Sequence, residues 1–78
     1  MSIESKKLDF SNLIEAWPSP LVAREKVGEF SGFILNARTL ANYDSRGTGP
    51  KGRIKIGRKV CYPATELVEW MRKRARAL

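Results

Sequence analysis

Histidine is absent from this 78-residue chain, and cysteine occurs only once, as Cys61. A single cysteine excludes an internal disulfide bond. Without histidine, and with one thiol that has no obvious base, the chain lacks the usual nucleophilic and metal-binding constellations. We therefore expect a protein that is not an enzyme and that needs no cofactor and no metal.

Long apolar runs are also missing. No stretch approaches the roughly 18–20 apolar residues that span a bilayer, and the N-terminal residues lack the uninterrupted apolar core of a secretory signal. Hydrophobic residues make up 42% and charged residues 29% of the chain, as in ordinary folded proteins. The sequence predicts one small domain in a reduced, cytoplasmic setting, without contact to a membrane.

Acidic residues are scarce relative to basic ones, and the excess of positive charge is concentrated. The formal net charge is +7, which favours a polyanionic partner. Residues 51–62 contain no acid and five basic residues, namely Lys51, Arg53, Lys55, Arg58 and Lys59. A concentrated basic segment of this kind is typical of a docking surface for nucleic acid, whereas an evenly spread positive charge would indicate only solubility.

The first 20 residues read as an N-terminal arm that precedes a main domain at residues 21–78. Asp9 can cap a short amphipathic helix, which Pro18 and Pro20 end. The apolar face of this helix has residues at i, i+3, i+4 and i+7, namely Phe10, Leu13, Ile14 and Trp17. This face can cover the core of the same chain, which we favour, or it can bind a second copy or a partner.

Two helices are predicted next, the first over Leu21 to Phe30 and the second from Ala37 to about Arg46. Gly32 can end the first helix in the left-handed conformation, and Phe33, Ile34 and Leu35 should pack in the crossing to the second. Asn36 suits the N-cap of the second helix. Leu40 should point inward, which leaves the opposite face of this helix to solvent.

A β-hairpin follows the Thr48-Gly49-Pro50 turn. A three-residue loop, Gly57-Arg58-Lys59, pairs Ile56 with Val60 and Ile54 with Tyr62, so that apolar side chains share one face. This register directs Arg53, Lys55 and Cys61 outward. A two-residue loop would mix the two faces, and we therefore predict the three-residue loop.

The last helix opens at Pro63 and continues toward the C-terminus. Its inward side or margin should hold Leu67, Trp70, Met71, Arg74 and Leu78, with Trp70 as the main core anchor. Basic residues cluster near its end, where they suit the helix dipole and can also reach phosphate, namely Arg72, Lys73, Arg74 and Arg76.

Several short stretches occur in a recognisable order. They are Arg38-Thr39-Leu40, Arg46-Gly47-Thr48-Gly49-Pro50, Ile56-Gly57-Arg58-Lys59-Val60, Tyr62-Pro63 and Leu67-Val68-Glu69-Trp70. With this order and spacing, residues 21–74 resemble the small excisionase and AlpA-like prophage regulators of the MerR-like winged helix-turn-helix superfamily. The connection over residues 31–35 departs from that pattern, because it is longer and more apolar than the usual tight turn.

The expected fold class is α+β: a small winged helix-turn-helix with an N-terminal helical arm, a two-helix helix-turn-helix, a two-stranded basic wing and a C-terminal helix. The resemblance implies a recognition helix in the major groove and a wing on the backbone or in the minor groove. The recognition helix offers six candidate DNA-binding residues: Asn36, Arg38, Thr39, Asn42, Tyr43 and Arg46. The wing offers Lys51, Arg53, Lys55, Arg58 and Lys59.

Several of these candidate residues have two alternative roles. Arg38 can read guanine or clamp a phosphate, and Asn42 can read adenine. Tyr43 can direct its hydroxyl to a phosphate, but pure packing is favoured. Asn36 is a better candidate for a helix cap than for a base reader, and Lys51 can either reach the backbone or belong to a mobile turn.

The expected function is sequence-specific binding of double-stranded DNA by a regulator of a mobile element or prophage, acting as an excisionase (a recombination directionality factor), a transcriptional regulator, or both. Such a protein belongs at the nucleoid in the cytoplasm of a bacterium or in a phage. The resemblance makes an integrase or other recombinase a candidate partner and cooperative self-association on DNA a candidate behaviour. No small-molecule effector is expected. The alternatives are an adaptor that binds a protein through the N-terminal apolar helix, and an RNA-binding protein.

Overall fold

The computed structural model describes residues 11–76, which form short helices and short strands. In chain order the elements are α1 (Ser11–Ala16), β1 (Leu21–Ala23), a 3-10 turn (Arg24–Lys26), α2 (Val27–Ser31), α3 (Ala37–Ser45), β2 (Ile54–Ile56), β3 (Lys59–Pro63) and α4 (Ala64–Arg74). This is a small α+β fold, as predicted. No helix within residues 11–76 is both long and apolar enough to cross a membrane.

The three strands form one antiparallel sheet in the order β1-β3-β2, so that β3 is central. The predicted helix over Leu21 to Phe30 is therefore wrong in its first half, and the sheet has one strand more than the predicted hairpin. Leu21–Ala23 is extended because its partner strand is remote in the sequence: Val22 lies opposite Tyr62 and Ala23 opposite Cys61. The helical periodicity of apolar residues in this segment corresponds to an actual α-helix only from Val27 onward.

The core lies between the sheet and helices α2, α3 and α4. Its largest fully buried side chains are Val22, Val27, Leu40, Tyr62 and Leu67. Trp70 is only partly buried and packs at the margin of this cluster, so the prediction that Trp70 is the main anchor is wrong. Tyr62 has the largest side chain among the fully buried residues.

Helix α1 lies against the core of its own chain. Leu13, Ile14 and Trp17 are partly buried there, and the ring of Trp17 meets Phe30 edge-on with 5.5 Å between centroids. The indole Nε1 of Trp17 donates a hydrogen bond to the carbonyl oxygen of Leu21 at 3.0 Å. These contacts are those of a core-covering arm. The predicted contributions of Asp9 and Phe10 lie outside the described residues.

The hairpin register differs from the prediction by one residue. Ile56 lies opposite Lys59 and Ile54 opposite Cys61, which leaves a two-residue loop of Gly57 and Arg58. The prediction assumed that burial selects the register, but β2 is an edge strand whose Ile54 and Ile56 are 43% and 55% exposed. Turn chemistry therefore decides, since Gly57 at φ +61° suits the first position of a tight hairpin turn.

Cys61 is buried, although it lies on the face of the sheet opposite to the core residue Tyr62. Its exposed fraction is 7%, and it lies opposite Ala23 of β1, a strand that the sequence did not reveal. The prediction of a solvent-exposed Cys61 is therefore wrong, because Ala23 of β1 and Ile54 of β2 flank it on its own face of the sheet.

The connection between α2 and α3 also differs in part from the prediction. Gly32 ends α2 in the left-handed conformation at φ +70°, as predicted, but Phe33 and Ile34 are 81% and 74% exposed instead of packed. Only Leu35 of this apolar triplet reaches the core. The buried Ser31 hydroxyl holds the connection, donating to the carbonyl oxygen of Val27 at 2.7 Å and accepting from the amide of Leu35 at 2.9 Å.

Candidate nucleic-acid interface

Helix α3 is anchored along one face. The side chain of Asn36 caps it by accepting a hydrogen bond from the amide of Thr39 at 2.8 Å, as predicted. Leu40 is fully buried, and Asp44, one turn later on the same face, is 9% exposed. The opposite face carries the exposed side chains of Arg38 and Asn42. The buried face thus fixes the helix on the core, and the polar side chains of Arg38 and Asn42 extend into solvent.

Two of the predicted α3 candidates lie beside this exposed strip rather than on it. Thr39 and Tyr43 are half-buried on the side that faces α4. The ring of Tyr43 meets that of Trp70 edge-on at 5.1 Å, and Arg46 lies over the Tyr43 ring at 4.8 Å. Tyr43 therefore has the packing role that the sequence favoured, and Arg46 extends along the edge of the helix.

Three of the five hairpin cations project into solvent. Lys51, Lys55 and Arg58 are exposed, and none of them forms an ion pair with a carboxylate of residues 11–76. Arg38 on α3 is in the same situation. Positive charges without an internal partner remain available to an anionic ligand.

The other two hairpin cations are paired within the chain. The ammonium of Lys59 donates to both carboxylate oxygens of Glu25 at 2.7 and 2.8 Å, and these hydrogen bonds lower the pKa of Glu25. Both side chains are more than half exposed, so the pair is of the weak, solvent-screened kind. Arg53, at the base of the hairpin, lies 3.1 Å from the carboxylate of Asp44.

Asp44 is the centre of a group that we name the Asp44 cluster: Arg24, Asp44, Arg53 and Tyr62. Its Oδ2 accepts hydrogen bonds from the guanidinium of Arg24 at 2.7 Å and from the hydroxyl of Tyr62 at 2.5 Å. Oδ1 is buried and has no well-aligned hydrogen bond, although the Arg53 guanidinium is its ionic neighbour. The side chain of Asp44 is 5% exposed, which makes this an internal ionic centre.

Protonation equilibria within the cluster reflect its burial. Burial raises the pKa of the Tyr62 phenol, the hydrogen bond to Asp44 raises it further, and the hydrogen bond from Arg24 opposes both. The pKa of Arg24 is raised, chiefly by its hydrogen bond to Tyr62. Arg24 is thus charged and Tyr62 is neutral near neutral pH.

The Asp44 cluster joins segments that are distant in the sequence. It connects the 3-10 turn, α3, the base of β2 and the central strand β3, and thereby relates the hairpin to α3. The loop after α3 closes over it: a Cβ at Gly49 would lie 1.9 Å from Oδ1 of Asp44. Only glycine allows the loop this close. Asp44 was not among the residues predicted to be functional, although a carboxylate four residues after the inward Leu40 indicates a position on the buried face of α3.

The end of α4 carries the predicted basic cluster and fastens the same loop. The indole Nε1 of Trp70 donates to the carbonyl oxygen of Thr48 at 2.9 Å, and the guanidinium of Arg74 donates to it at 3.3 Å. Arg74 is exposed, so the prediction that it lies on the inward side of α4 is wrong. Its guanidinium stacks on the rings of Trp70 and Tyr43, which places it at the margin of the helix packing. Arg72 pairs with Glu69 at 3.4 Å.

Comparison with known proteins does not assign the chain to a family. No known protein family matches the chain, and no curated protein sequence is similar to it. Within residues 11–76, no group of three or more His, Cys, Asp and Glu side chains could hold a metal ion. The arrangement offers a capped helix with Arg38 and Asn42 outward and, joined to it by the Asp44 cluster, a hairpin with exposed cations.

Proposed function

We propose that this chain is a small winged helix-turn-helix protein that binds double-stranded DNA in a sequence-specific way. In this proposal α2 and α3 are the helix-turn-helix, α3 is the recognition helix and the β2–β3 hairpin is the wing. One observation carries the proposal. The exposed strip of α3 and the exposed hairpin cations belong to elements that the Asp44 cluster holds in a fixed relation.

The strip on α3 has the chemistry needed to read bases. An Arg side chain can donate two hydrogen bonds to guanine, and an Asn side chain can exchange two with adenine in the major groove. Arg38 and Asn42 are one helical turn apart, so that they face the same way and can reach neighbouring base pairs. Asn36 is engaged as a cap, and its side chain is not assigned to base reading.

The hairpin supplies affinity without sequence information. Lys51, Lys55 and Arg58 can each neutralise a phosphate and release a counterion. Lys59 can join them by exchanging Glu25 for a phosphate, because its ion pair is exposed. Arg53 is assigned to the Asp44 cluster instead, where it supports the base of the hairpin.

The biological role that we propose is that of an excisionase, a transcriptional regulator, or both, encoded by a mobile element of a bacterium or phage and acting at the nucleoid. The resemblance of residues 21–74 to excisionase and AlpA-like regulators supports this proposal. A single small module covers about 600–1,000 Å² of protein surface on DNA and binds modestly by itself. Several adjacent copies, or a recombinase partner, would then provide tight binding.

The adaptor alternative receives no support from the position of α1. Its side chains Leu13, Ile14 and Trp17 pack against the core of the same chain, so they are not presented to a partner. RNA binding is likewise less well supported, because single strands are usually bound on exposed aromatic platforms, and Tyr43 and Trp70 pack against each other.

Three alanine variants test the proposal on selected and random duplexes. Arg38→Ala should weaken binding to the selected sequence about ten- to a hundredfold and binding to random DNA far less. Lys55→Ala should weaken both and lower the slope of log K against log salt by about 0.9. Lys26→Ala is the matched control, since this exposed lysine belongs to neither α3 nor the hairpin. Equal losses on both duplexes after Arg38→Ala would contradict base reading by this side chain.

A further inference from the structure

A groove of about 400 Å³ lies between α3 and α4, outside the surfaces assigned to DNA. Its walls are largely apolar and include Ile34, Leu35, Trp70 and Met71. Among the described residues, Arg74 is the only charged side chain that lines it. Largely apolar walls of this kind suit apolar side chains better than phosphates.

The apolar surface continues beyond the groove onto the α2–α3 connection. Ile34, which lines the groove, is 74% exposed, and its neighbour Phe33 is 81% exposed. Adjacent large apolar side chains left in water are typical of an interaction site. The left-handed backbone of Phe33 at φ +69° is uncommon for a residue with a side chain and occurs at this exposed position.

The groove adjoins the proposed DNA strip without coinciding with it. Thr39 and Tyr43 line the groove, each one position after Arg38 and Asn42 and therefore about 100° around the helix. Ala37, on the other side of the strip, lines a cleft next to the hairpin residues Arg58 and Lys59. The strip thus lies between the hairpin and the groove, and a ligand in the groove leaves Arg38 and Asn42 accessible.

The charge around the groove indicates the chemistry of its occupant. Arg74 of α4 lines the groove, and Arg46 of α3 lies over the ring of Tyr43, which also lines it. No carboxylate of residues 11–76 lines the groove. Arg74 has five N–H donors, and beyond the hydrogen bond to Thr48 it stacks on two aromatic rings. An arginine held in this way is suited to receive a carboxylate.

We propose that the groove is the docking site for a segment of a partner protein that has apolar side chains on one face and Asp or Glu carboxylates beside them. The apolar side chains enter between α3 and α4, and the carboxylates meet Arg74 and the neighbouring Arg46. This proposal does not depend on DNA binding, because its contacts involve neither Arg38 nor the hairpin.

The test uses the ¹⁵N-labelled full chain and a synthetic 16-residue helical peptide (about four turns) with Leu and Phe on one face and Glu on its flanks. A second peptide has Lys in place of Glu, and a third has the first peptide's composition in scrambled order. The chain has two indole N–H reporters: that of Trp70 lies at the groove, and that of Trp17 lies in the arm. The acidic peptide should shift the Trp70 resonance and leave that of Trp17 unchanged.

The same substitution is made at two exposed isoleucines, one that lines the groove and one that lies outside it. Ile34→Ser should weaken binding of the acidic peptide roughly tenfold, whereas Ile56→Ser, at an exposed isoleucine outside the groove, should leave it unchanged. Equal binding of the Lys and scrambled peptides, equal losses in both variants, or no Trp70 shift would overturn the proposal.

Two further results would assign the groove to another occupant and would also overturn the proposal. A Trp70 shift that grows with the concentration of the chain alone would indicate a second copy. A change of the Trp70 resonance on replacing Leu8 and Phe10 by Ala, without peptide, would indicate that the chain's own N-terminal segment fills the groove.

Discussion

Replacing Asp44 by Asn should destabilise the fold far more than any exchange of a surface carboxylate. The carboxylate of Asp44 is 5% exposed and accepts hydrogen bonds from Arg24 at 2.7 Å and from Tyr62 at 2.5 Å. The Asn side chain keeps the shape and one acceptor oxygen. It removes the negative charge that Arg24 and Arg53 share.

The magnitude follows from what the neutral amide cannot replace. A hydrogen bond to a charged group contributes about 1.5–3 kcal/mol, and breaking a buried ion pair costs about 3–5 kcal/mol. The side chain of Arg24 is 26% exposed and that of Arg53 47%, so water recovers part of the loss. We expect a loss of about 2–4 kcal/mol in the free energy of unfolding. In a domain of this size this lowers Tm by roughly 10 °C or more.

Urea unfolding followed by tryptophan fluorescence measures this loss directly. Glu29→Gln is the matched control, because Glu29 is exposed and pairs only loosely with Lys26 at 3.7 Å. This control should change stability by less than about 0.5 kcal/mol. If Asp44→Asn is as mild as Glu29→Gln, the Asp44 cluster does not hold the hairpin to α3.

Two more predictions concern the same cluster. Gly49→Ala places a Cβ 1.9 Å from Oδ1 of Asp44 and should cost about 2 kcal/mol or more in urea unfolding, whereas Gly28→Ala meets its neighbours at 3.5 Å and should be nearly neutral; equal effects would contradict the close approach. The pKa of Tyr62 is raised in the fold above its ordinary value of 10.0, so the folded chain holds this proton more tightly, and the stability it contributes is lost as the pH rises from about 10 through the folded pKa. Tyr62→Phe should remove that part of the alkaline decline in Tm, and an identical decline in both proteins would refute it.

Local signals in the sequence were sufficient for α3 and for the end of α2. The Asn36 cap, the inward Leu40 and the left-handed Gly32 each act within one or two turns of the chain, and all three have their predicted roles. Such signals need no knowledge of what lies on the other side of the molecule.

Pairing between residues that are distant in the sequence determined the elements that were predicted wrongly. Val22 is in a strand because it pairs with Tyr62, which is 40 residues away in the sequence. The hairpin register was predicted on the assumption of a buried face. Ile54 and Ile56 lie on an exposed edge instead, so Gly57 and its tight turn determine the register.

The candidate site was predicted in part. Arg38, Asn42, Lys55 and Arg58 are exposed as expected, but Arg53 is not simply a solvated cation. Its partner Asp44 comes from a different element, and the sequence segment 51–62 shows no acid. Counting charges along the chain therefore overstated how many hairpin cations are available to a ligand.

Selection of duplex sequences followed by a salt titration tests sequence-specific DNA binding by this chain. Sequences are selected from a random duplex pool by the full chain, and binding of the selected duplex is then titrated with salt against random competitor. We expect one enriched motif together with a log K that falls steeply with log salt. Binding without an enriched motif, or no binding at low salt, would contradict it.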